Sequence, residues 1–404
     1  MKVMHILSYV PIPLNSGGKL RVYYVMKALT KHHDVTVVSY GTPAERDLLH
    51  AHFGIPLENI HIIPSHFARR HRRLMQVLAL GTRHSFYHYD LNSAQMEATV
   101  ASVLASDSFD VIQTEFPLIG ASRCETDAVK ILDAHNVEYE IFKRISETDR
   151  SALRGWYNQR EYHKVRREEL AILGRQDALF VTSERDGDLI AEDLPHIPKH
   201  VIPNGVDVGY FKASQVTPEP HTLVFTGTMA YQPNSTGMLF FLDEVFPSIL
   251  REIPDAKIYI VGNKPPPELA NRASDHVIVT GLVDDVRPFM DRASAVVVPL
   301  LAGSGTRLKI LEALSMKKPV VTTTIGGEGI DLVHGESAMI ADDPEDFAQN
   351  VVQLLRNPEL QTKLRDVGYR LVSDRYDWSI IGEQIQGVYE DLVPLARESE
   401  KLAG

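Results

Sequence analysis

The residues with the most legible chemistry lie in Ala302-Gly303-Ser304-Gly305-Thr306-Arg307-Leu308-Lys309-Ile310-Leu311-Glu312-Ala313-Leu314, after the apolar run Ala295-Val296-Val297-Val298-Pro299-Leu300. The pattern reads as strand, glycine turn and helix. Aligned peptide dipoles leave about half a positive charge at a helix N-terminus, so acidic side chains are favoured there. Arg307 and Lys309 take those places instead. Two cations, a glycine turn and free backbone N–H groups together suit a phosphate; the plain alternative is that both side chains point into water. A second glycine loop, Val10-Pro11-Ile12-Pro13-Leu14-Asn15-Ser16-Gly17-Gly18-Lys19, precedes another helical pattern. Gly17 and Gly18 would let a ligand approach the backbone, or simply form a tight turn. The dinucleotide fingerprint G-x-G-x-x-G is missing, which argues against a dehydrogenase.

The elements that must position these residues alternate. In the first half, apolar runs predict strands at Val3–Tyr9, Asp34–Tyr40, Ile60–Pro64, Val111–Thr114, Val129–Asp133 and Ala178–Thr182, with helices between them at Leu20–Lys31, Ala94–Ala105 and Arg160–Leu173. Val201–Asp207 reads as a last short strand and a turn. In the second half, strands are expected at Thr222–Thr226, Ala256–Val261, Val277–Thr280, Ala295–Pro299, Pro319–Thr323 and Ala338–Ala341. The helices there are Gly237–Ile253, Val286–Asp291, Thr306–Met316, Pro344–Arg356 and Pro358–Asp374. Strands alternating with helices imply α/β units on parallel sheets, hence two doubly wound Rossmann-like domains. The expected divisions are residues 1–210, 211–376 and a helical segment, 377–404, that crosses back onto the first domain. Such sheets bind ligands at the carboxyl ends of their strands, so a cleft between the domains is the expected site.

Composition narrows the classes. The chain has 404 residues, a length that suggests two or three domains, and its 44% hydrophobic content supports sizeable cores. A formal net charge of -11 argues against general nucleic-acid binding. The single cysteine, Cys124, excludes an internal disulfide framework and fits a reducing, cytoplasmic setting. Pro11 and Pro13 interrupt the apolar start, so no signal peptide is expected, and no apolar stretch is long enough to span a bilayer.

The chain resembles the nucleotide-sugar glycosyltransferases of the GT-B architecture, most of all the retaining bacterial glycosyltransferase family four. The resemblance rests on Ser304 to Thr323 (SGTRLKILEALSMKKPVVTT), Gly326-Gly327, Pro203-Asn204-Gly205-Val206-Asp207, Gly227-Thr228-Met229 with Gln232-Pro233-Asn234, Ser16-Gly17-Gly18 and Asp133-Ala134-His135-Asn136. It implies a C-terminal domain that binds the nucleoside diphosphate of a sugar donor, itself a substrate, with no cofactor and no metal. The family pattern carries two glutamates eight positions apart. Glu312 matches the second, expected on the ribose hydroxyls, a diol that a carboxylate can accept from twice. Ser304 replaces the first. Relatives also carry an arginine and a lysine after the first C-terminal strand, where this chain has Thr228-Met229 and Asn234. Arg307 and Lys309 are expected to supply that charge from across the cleft, beside Gly227, Gly305 and Thr306. Asn263, Leu282 and Val283, on loops after neighbouring strands, are expected near the base, UDP- or GDP-type, although Asn263 fits an ordinary turn equally well. The pair Asp284-Asp285 is read as helix capping rather than as a metal site.

By the same resemblance His135 approaches the donor sugar or the acceptor, with Glu138 orienting it or meeting the acceptor and Glu140 at the surface. A histidine at a strand end can also be a turn residue. The implied chemistry is retaining, front-face transfer to a glycan or lipid-linked acceptor in surface polysaccharide or glycolipid synthesis. His135, Arg307 and Lys309 are the catalytic candidates. The basic stretch Phe67–Leu80, with Arg69, Arg70, Arg72 and Arg73, would touch anionic lipid at the inner face of the plasma membrane, or be a solvated segment. Two other readings stay open: a non-catalytic partner that keeps the fold, and a sugar-nucleotide epimerase of similar architecture.

Overall fold

The computed structural model describes residues 1–64, 71–91, 93–117, 126–148, 152–303 and 305–403. Ser304, Cys124, Arg69 and Arg70 lie outside them. Packing divides the chain into two units, Met1–Pro203 with Gly382–Gly404, and Asn204–Ile381. The breaks thus fall at 203/204 and 381/382 rather than at 210/211 and 376/377. Residues just after Pro203 are built into the second unit. Val206 N donates to Tyr376 O at 2.8 Å and Ser315 Oγ to Phe211 O at 2.6 Å.

The first unit is a seven-stranded parallel sheet. Its strands are β1 (Lys2–Leu7), β2 (Asp34–Tyr40), β3 (Ile60–Ile63), β4 (Val111–Glu115), β5 (Val129–Ala134), β6 (Ala178–Val181) and β7 (Lys199–Val201), in the order β3-β2-β1-β4-β5-β6-β7. The helices are α1 (Gly17–His32), α2 (Pro43–Phe53), α3 (Arg72–Leu80), α4 (Phe86–Leu91), α5 (Ala94–Ser106), α6 (Glu138–Thr148), α7 (Ala152–Leu173) and α8 (Glu184–Ala191). Central strands covered on both faces need apolar residues at successive positions, as in Ala178 to Val181 of β6.

The second unit has six parallel strands, β8 (Thr222–Thr226), β9 (Lys257–Val261), β10 (Val277–Gly281), β11 (Ala295–Val298), β12 (Val320–Thr322) and β13 (Met339–Ile340), ordered β10-β9-β8-β11-β12-β13. Its helices are α9 (Gln232–Phe240), α10 (Phe246–Glu252), α11 (Pro267–Ala270), α12 (Arg287–Arg292), α13 (Leu308–Ser315), α14 (Pro344–Arg356) and α15 (Pro358–Arg375). The single helix expected over Gly237–Ile253 is α9 and α10 joined by a π turn, Phe241–Val245. Pro247 explains the join: it has no N–H to continue the α ladder, and the wider turn still buries Phe241 and Val245.

The last helix, α16 (Trp378–Ala403), returns to the first unit as expected. Tyr389 is fully buried there, its hydroxyl donating to Gln113 Oε1 and its ring stacked 6.4 Å from Phe180. Gly382 lies against Ala28, where a Cβ would meet the alanine methyl at 2.9 Å.

Candidate functional site

A doubly wound sheet leaves a crevice where its strand order reverses, because the loops on either side run apart. In the second unit that point lies between β8 and β11. After these strands come Gly227, Thr228 and, in the first turn of α9, Asn234 on one side, and the glycine turn with Arg307 and, in the first turn of α13, Lys309 on the other.

Gly227 leaves β8 at φ 156°, and Gly262 leaves β9 at φ 157°. A Cβ on Gly262 would overlap Gly227 O at 1.7 Å, and a Cβ on Gly227 would meet Lys309 Nζ at 2.7 Å and Asn234 Nδ2 at 2.8 Å. The two glycines therefore let two backbones touch and admit the lysine. Lys309 Nζ donates to Asn234 Oδ1 at 2.9 Å, and Asn234 Nδ2 donates to Thr228 O at 2.9 Å. The ammonium sits 3.9 Å from the centroid of Phe225. Desolvation lowers the Lys309 pKa to about 7, Glu312 opposing that shift and Arg307 adding to it. Desolvation likewise raises Glu312 to about 7, against the pull of Lys309. The crevice thus holds a cation whose charge the protein itself compensates poorly, the condition under which an anion is bound.

Arg307 requires a correction. The helix opens at Leu308, not Thr306, and Arg307 occupies the capping position with no side-chain cap. Its buried guanidinium turns back, Nη1 donating to Gly305 O and Nη2 lying 3.5 Å from Ile325 O. Gly303 and Gly305, at φ 135° and 74°, make this loop; a Cβ on Gly303 would meet Arg307 Nη2 at 2.9 Å. Arg307 braces the turn, whereas Lys309 alone stands in the first turn of α13. Thr306 Oγ1 accepts from Asn204 Nδ2 at 3.4 Å. The helix has no acidic residue in its first turn, so its N-terminal charge is not offset there.

Asn263 joins this group through its backbone, its carbonyl accepting from Met229 N at 3.0 Å. Its buried side-chain Oδ1 has no hydrogen-bond partner among the described residues. Leu282 and Val283 follow β10, which β9 separates from β8; Leu282 is exposed and Val283 packs on the core. Asp285 pairs with Arg287 at 2.7 Å and accepts from its backbone N–H at 2.9 Å, which commits that carboxylate to the start of α12.

In the first unit the order reverses between β1 and β4. Ser16 caps α1, and Gly18 sits where a Cβ would meet Tyr9 Oη at 2.6 Å, the Phe116 ring at 3.3 Å and His135 Nδ1 at 3.7 Å. The His135 ring lies 4.0 Å from Phe116, which itself takes φ 73°. Gly18 and His135 are thus brought together, and Gly17 opens the helix beside them.

Beneath His135 lies a carboxylate that the sequence did not announce. Glu115, fully buried, meets His135 Nε2 at 2.6 Å through one oxygen and His5 Nε2 at 2.6 Å through the other. Gln113 Nε2 adds a third bond at 2.8 Å. Burial opposes the charge, but the bonds from His135 and His5 outweigh it and hold this carboxyl well below the usual range. An ionised Glu115 only accepts, so it assigns an N–H to each Nε2 and leaves the lone pair of a neutral imidazole on Nδ1. His135 Nδ1, the atom nearest Gly18, is buried without a hydrogen-bond partner among the described residues. Asp133 lies opposite Glu115 across the strand pair; its pKa is raised by burial, while Arg21 pairs with it at 2.8 Å and opposes that shift. Glu115, Asp133 and His135 have the spacing of a metal set, but their oxygens already serve His5, His135 and Arg21.

Glu138 does not orient His135; Glu115 does. Burial pushes Glu138 up to about 7, with Asn136 hydrogen-bonded to it. The backbone N–H groups of Glu138 and Tyr139 donate to the buried Glu169 at 3.0 and 2.9 Å. Glu140 pairs with Arg144 at 3.2 Å. The missed residues, Glu115, His5, Arg21 and Glu169, had little one-dimensional signal beyond the place of Glu115 at the end of an apolar run. Their partners are remote in sequence.

Residues 220–357 match the family model described as glycosyl transferases group 1. A phosphatidyl-myo-inositol mannosyltransferase of Mycobacterium leprae is 31% identical over 200 residues, 47% of this chain and 52% of that protein. The chain spans less than two thirds of the length of the curated relatives it matches. Among solved structures, sucrose-phosphate synthase from Thermosynechococcus elongatus superposes with a TM-score of 0.69 at 16% identity, covering 98% of this chain and all of that one. Anabaena HepE in complex with UDP-glucose gives 0.65 at 15% identity, over 97% of this chain and all of that one. Residues 220–357 are thus similar to the group 1 glycosyl transferases, and the chain as a whole has the GT-B fold.

Proposed function

We propose that the chain is a retaining glycosyltransferase that takes a sugar from a nucleoside-diphosphate donor. The carrying observation is Lys309, half-buried at the β8/β11 switch point beside Gly227 and Asn234 with its charge poorly compensated. The donor's diphosphate is the anion that completes this group, with Glu312 assigned to the ribose, and Asn263, Leu282 and Val283 to the base. The bound UDP-glucose of the HepE structure supports a uridine donor. Gly17 and Gly18 are assigned to the donor, His135 to the transfer itself and Glu138 to the acceptor side.

In the transfer, the bond from the anomeric carbon to the diphosphate breaks and a bond to an acceptor oxygen forms on the same face. The acceptor proton leaves with the departing diphosphate. The enzyme's share is to stabilise charge on that leaving group, through Lys309 and the start of α13, with Arg307 holding the turn. His135 Nδ1 accepts a hydrogen bond from a sugar hydroxyl. Charge stabilisation by Lys309 asks for no metal, so turnover without added magnesium or manganese is part of the proposal.

The acceptor is proposed to be lipid-linked, in surface polysaccharide or glycolipid synthesis at the inner face of the membrane. The name of the M. leprae relative includes a phosphatidylinositol. No helix among the described residues is long and apolar enough to cross a membrane. On α3, however, Leu74, Val77 and Leu78 share one face and are exposed by 52%, 65% and 55%.

Release of nucleoside diphosphate from a panel of nucleotide sugars, with and without acceptor, tests the reading. Lys309→Ala should lower turnover by roughly two to three orders of magnitude. Near-normal turnover in that variant contradicts it.

A further inference from the structure

A second group of side chains in the first unit has no part in the proposed transfer. His84 stands just before α4, His88 lies within it four residues on, and Glu168 projects from α7. One ring nitrogen from each histidine and one oxygen of Glu168 lie within 4.8 Å of one another. The two rings are stacked, centroids 4.1 Å apart at 21°. His84 Nδ1 is 2.9 Å from Glu168 Oε1.

The surroundings fix this group. Ser85 N donates to both oxygens of Glu168, at 3.1 and 3.2 Å, and Ser85 Oγ accepts from His88 N at 3.1 Å. Backbone bonds of this kind orient the ligands of metal centres. Arg167 approaches Glu168 at 3.8 Å and also donates to Arg83 O, so the carboxylate is shared with one exposed cation. All three residues are partly exposed, which leaves room for water at open coordination positions.

We infer that His84, His88 and Glu168 form a binding site for a divalent cation of borderline softness, with zinc the best match, that ties the start of α4 to α7. Two imidazoles and a carboxylate with an open position are a zinc donor set. Ligands of one tetrahedral zinc lie about 3.4 Å apart given its bond lengths of about 2.1 Å. The present spacing, within 4.8 Å, is wider than that value, so binding requires the three side chains to draw together. The tie would reinforce a contact already linking the same segments, from Phe86 N to Glu161 at 2.8 Å, next to the bond from Lys164 Nζ to Ala79 O at the end of α3 at 2.7 Å.

The test uses the full chain, stripped with a chelator that is then removed, and titrated with zinc chloride against a chromophoric zinc indicator. One equivalent should bind, with a dissociation constant on the order of 10 µM or lower, and raise the melting temperature by ~2–4 °C. His84→Gln and His88→Gln should each weaken binding at least about tenfold. Cobalt(II) bound to the unmutated chain should give the strong visible band of a tetrahedral or five-coordinate nitrogen and oxygen site, a readout that needs no variant to fold. Binding unchanged in the His84→Gln/His88→Gln double variant, or no visible cobalt band, overturns the assignment. No residue is shared with the transfer chemistry, so either result leaves the proposed function standing.

Discussion

Lys309 carries its charge in surroundings that lower its pKa to about 7, while the unfolded chain would keep a lysine proton to near 10.5. Between those values the unfolded state binds more protons, so this group adds stability as pH rises from about 7 toward 10.5. Glu312 works the other way: its pKa is raised from 4.5 to about 7, so its contribution is complete below 4.5 and lost as pH rises through about 7. Binding of a diphosphate should reverse the lysine's position, because the anion favours the ammonium. Above pH 7, UDP binding should take up a proton, and affinity should fall by up to about tenfold per pH unit. Calorimetry in buffers of different ionisation enthalpy counts that proton, and Lys309→Met should abolish it. Glu115 holds His135 from beneath. Glu115→Gln keeps the shape but replaces an acceptor for two N–H groups with an amide. It should lower kcat by more than about tenfold while leaving the donor KM nearly unchanged, since it acts through His135. Nitrogen-15 spectra of the imidazoles should show His135 losing its Nε2–H tautomer; an unchanged spectrum with full activity contradicts the role.

At the scale of elements, the glycines after β8 and β9 matter most. Gly262→Ala would drive a methyl group into Gly227 O at a φ of 157°. The expected cost is on the order of 2–4 kcal/mol, seen as an earlier urea midpoint for the second unit. An unchanged midpoint would mean that the two loops separate easily. Elements were the most legible part of the sequence. Runs such as Ala295 to Val298 and Val320 to Thr322 are buried on both faces, so their apolar composition alone announced them. The start of α13 was less legible. Arg307 looked like a first-turn cation, but its guanidinium turns to Gly305 O and toward Ile325 O, acceptors that a residue list does not reveal. Lys309, Asn234 and Gly227 were each suspected, and their meeting follows from strand order. The fork at Glu115 was not legible, because His5 is 110 residues away and His135 is 20.

At the scale of the whole molecule, the sequence foretold two Rossmann-like units and the return of the last helix, since a terminal helical pattern without a strand to follow needs another surface. It misplaced the breaks by a few residues, because Val206 and Phe211 are bound into the second unit by hydrogen bonds rather than by composition. The net charge of -11 makes the basic, apolar stretch Phe67–Leu80 stand out. If α3 meets a bilayer, the chain should float with anionic liposomes and not with neutral ones. Changing Arg69, Arg70, Arg72 and Arg73 together to Ser should abolish flotation; equal flotation of both forms would exclude the contact. The central claim, that Lys309 at the β8/β11 crevice grips a donor's diphosphate, is tested most directly by titrating UDP and GDP into the intact chain and into Lys309→Met. The account predicts binding of at least one of them by the unmutated chain and a loss of at least about tenfold in the variant. Equal affinity in the two proteins, or no binding of either nucleotide, would contradict it.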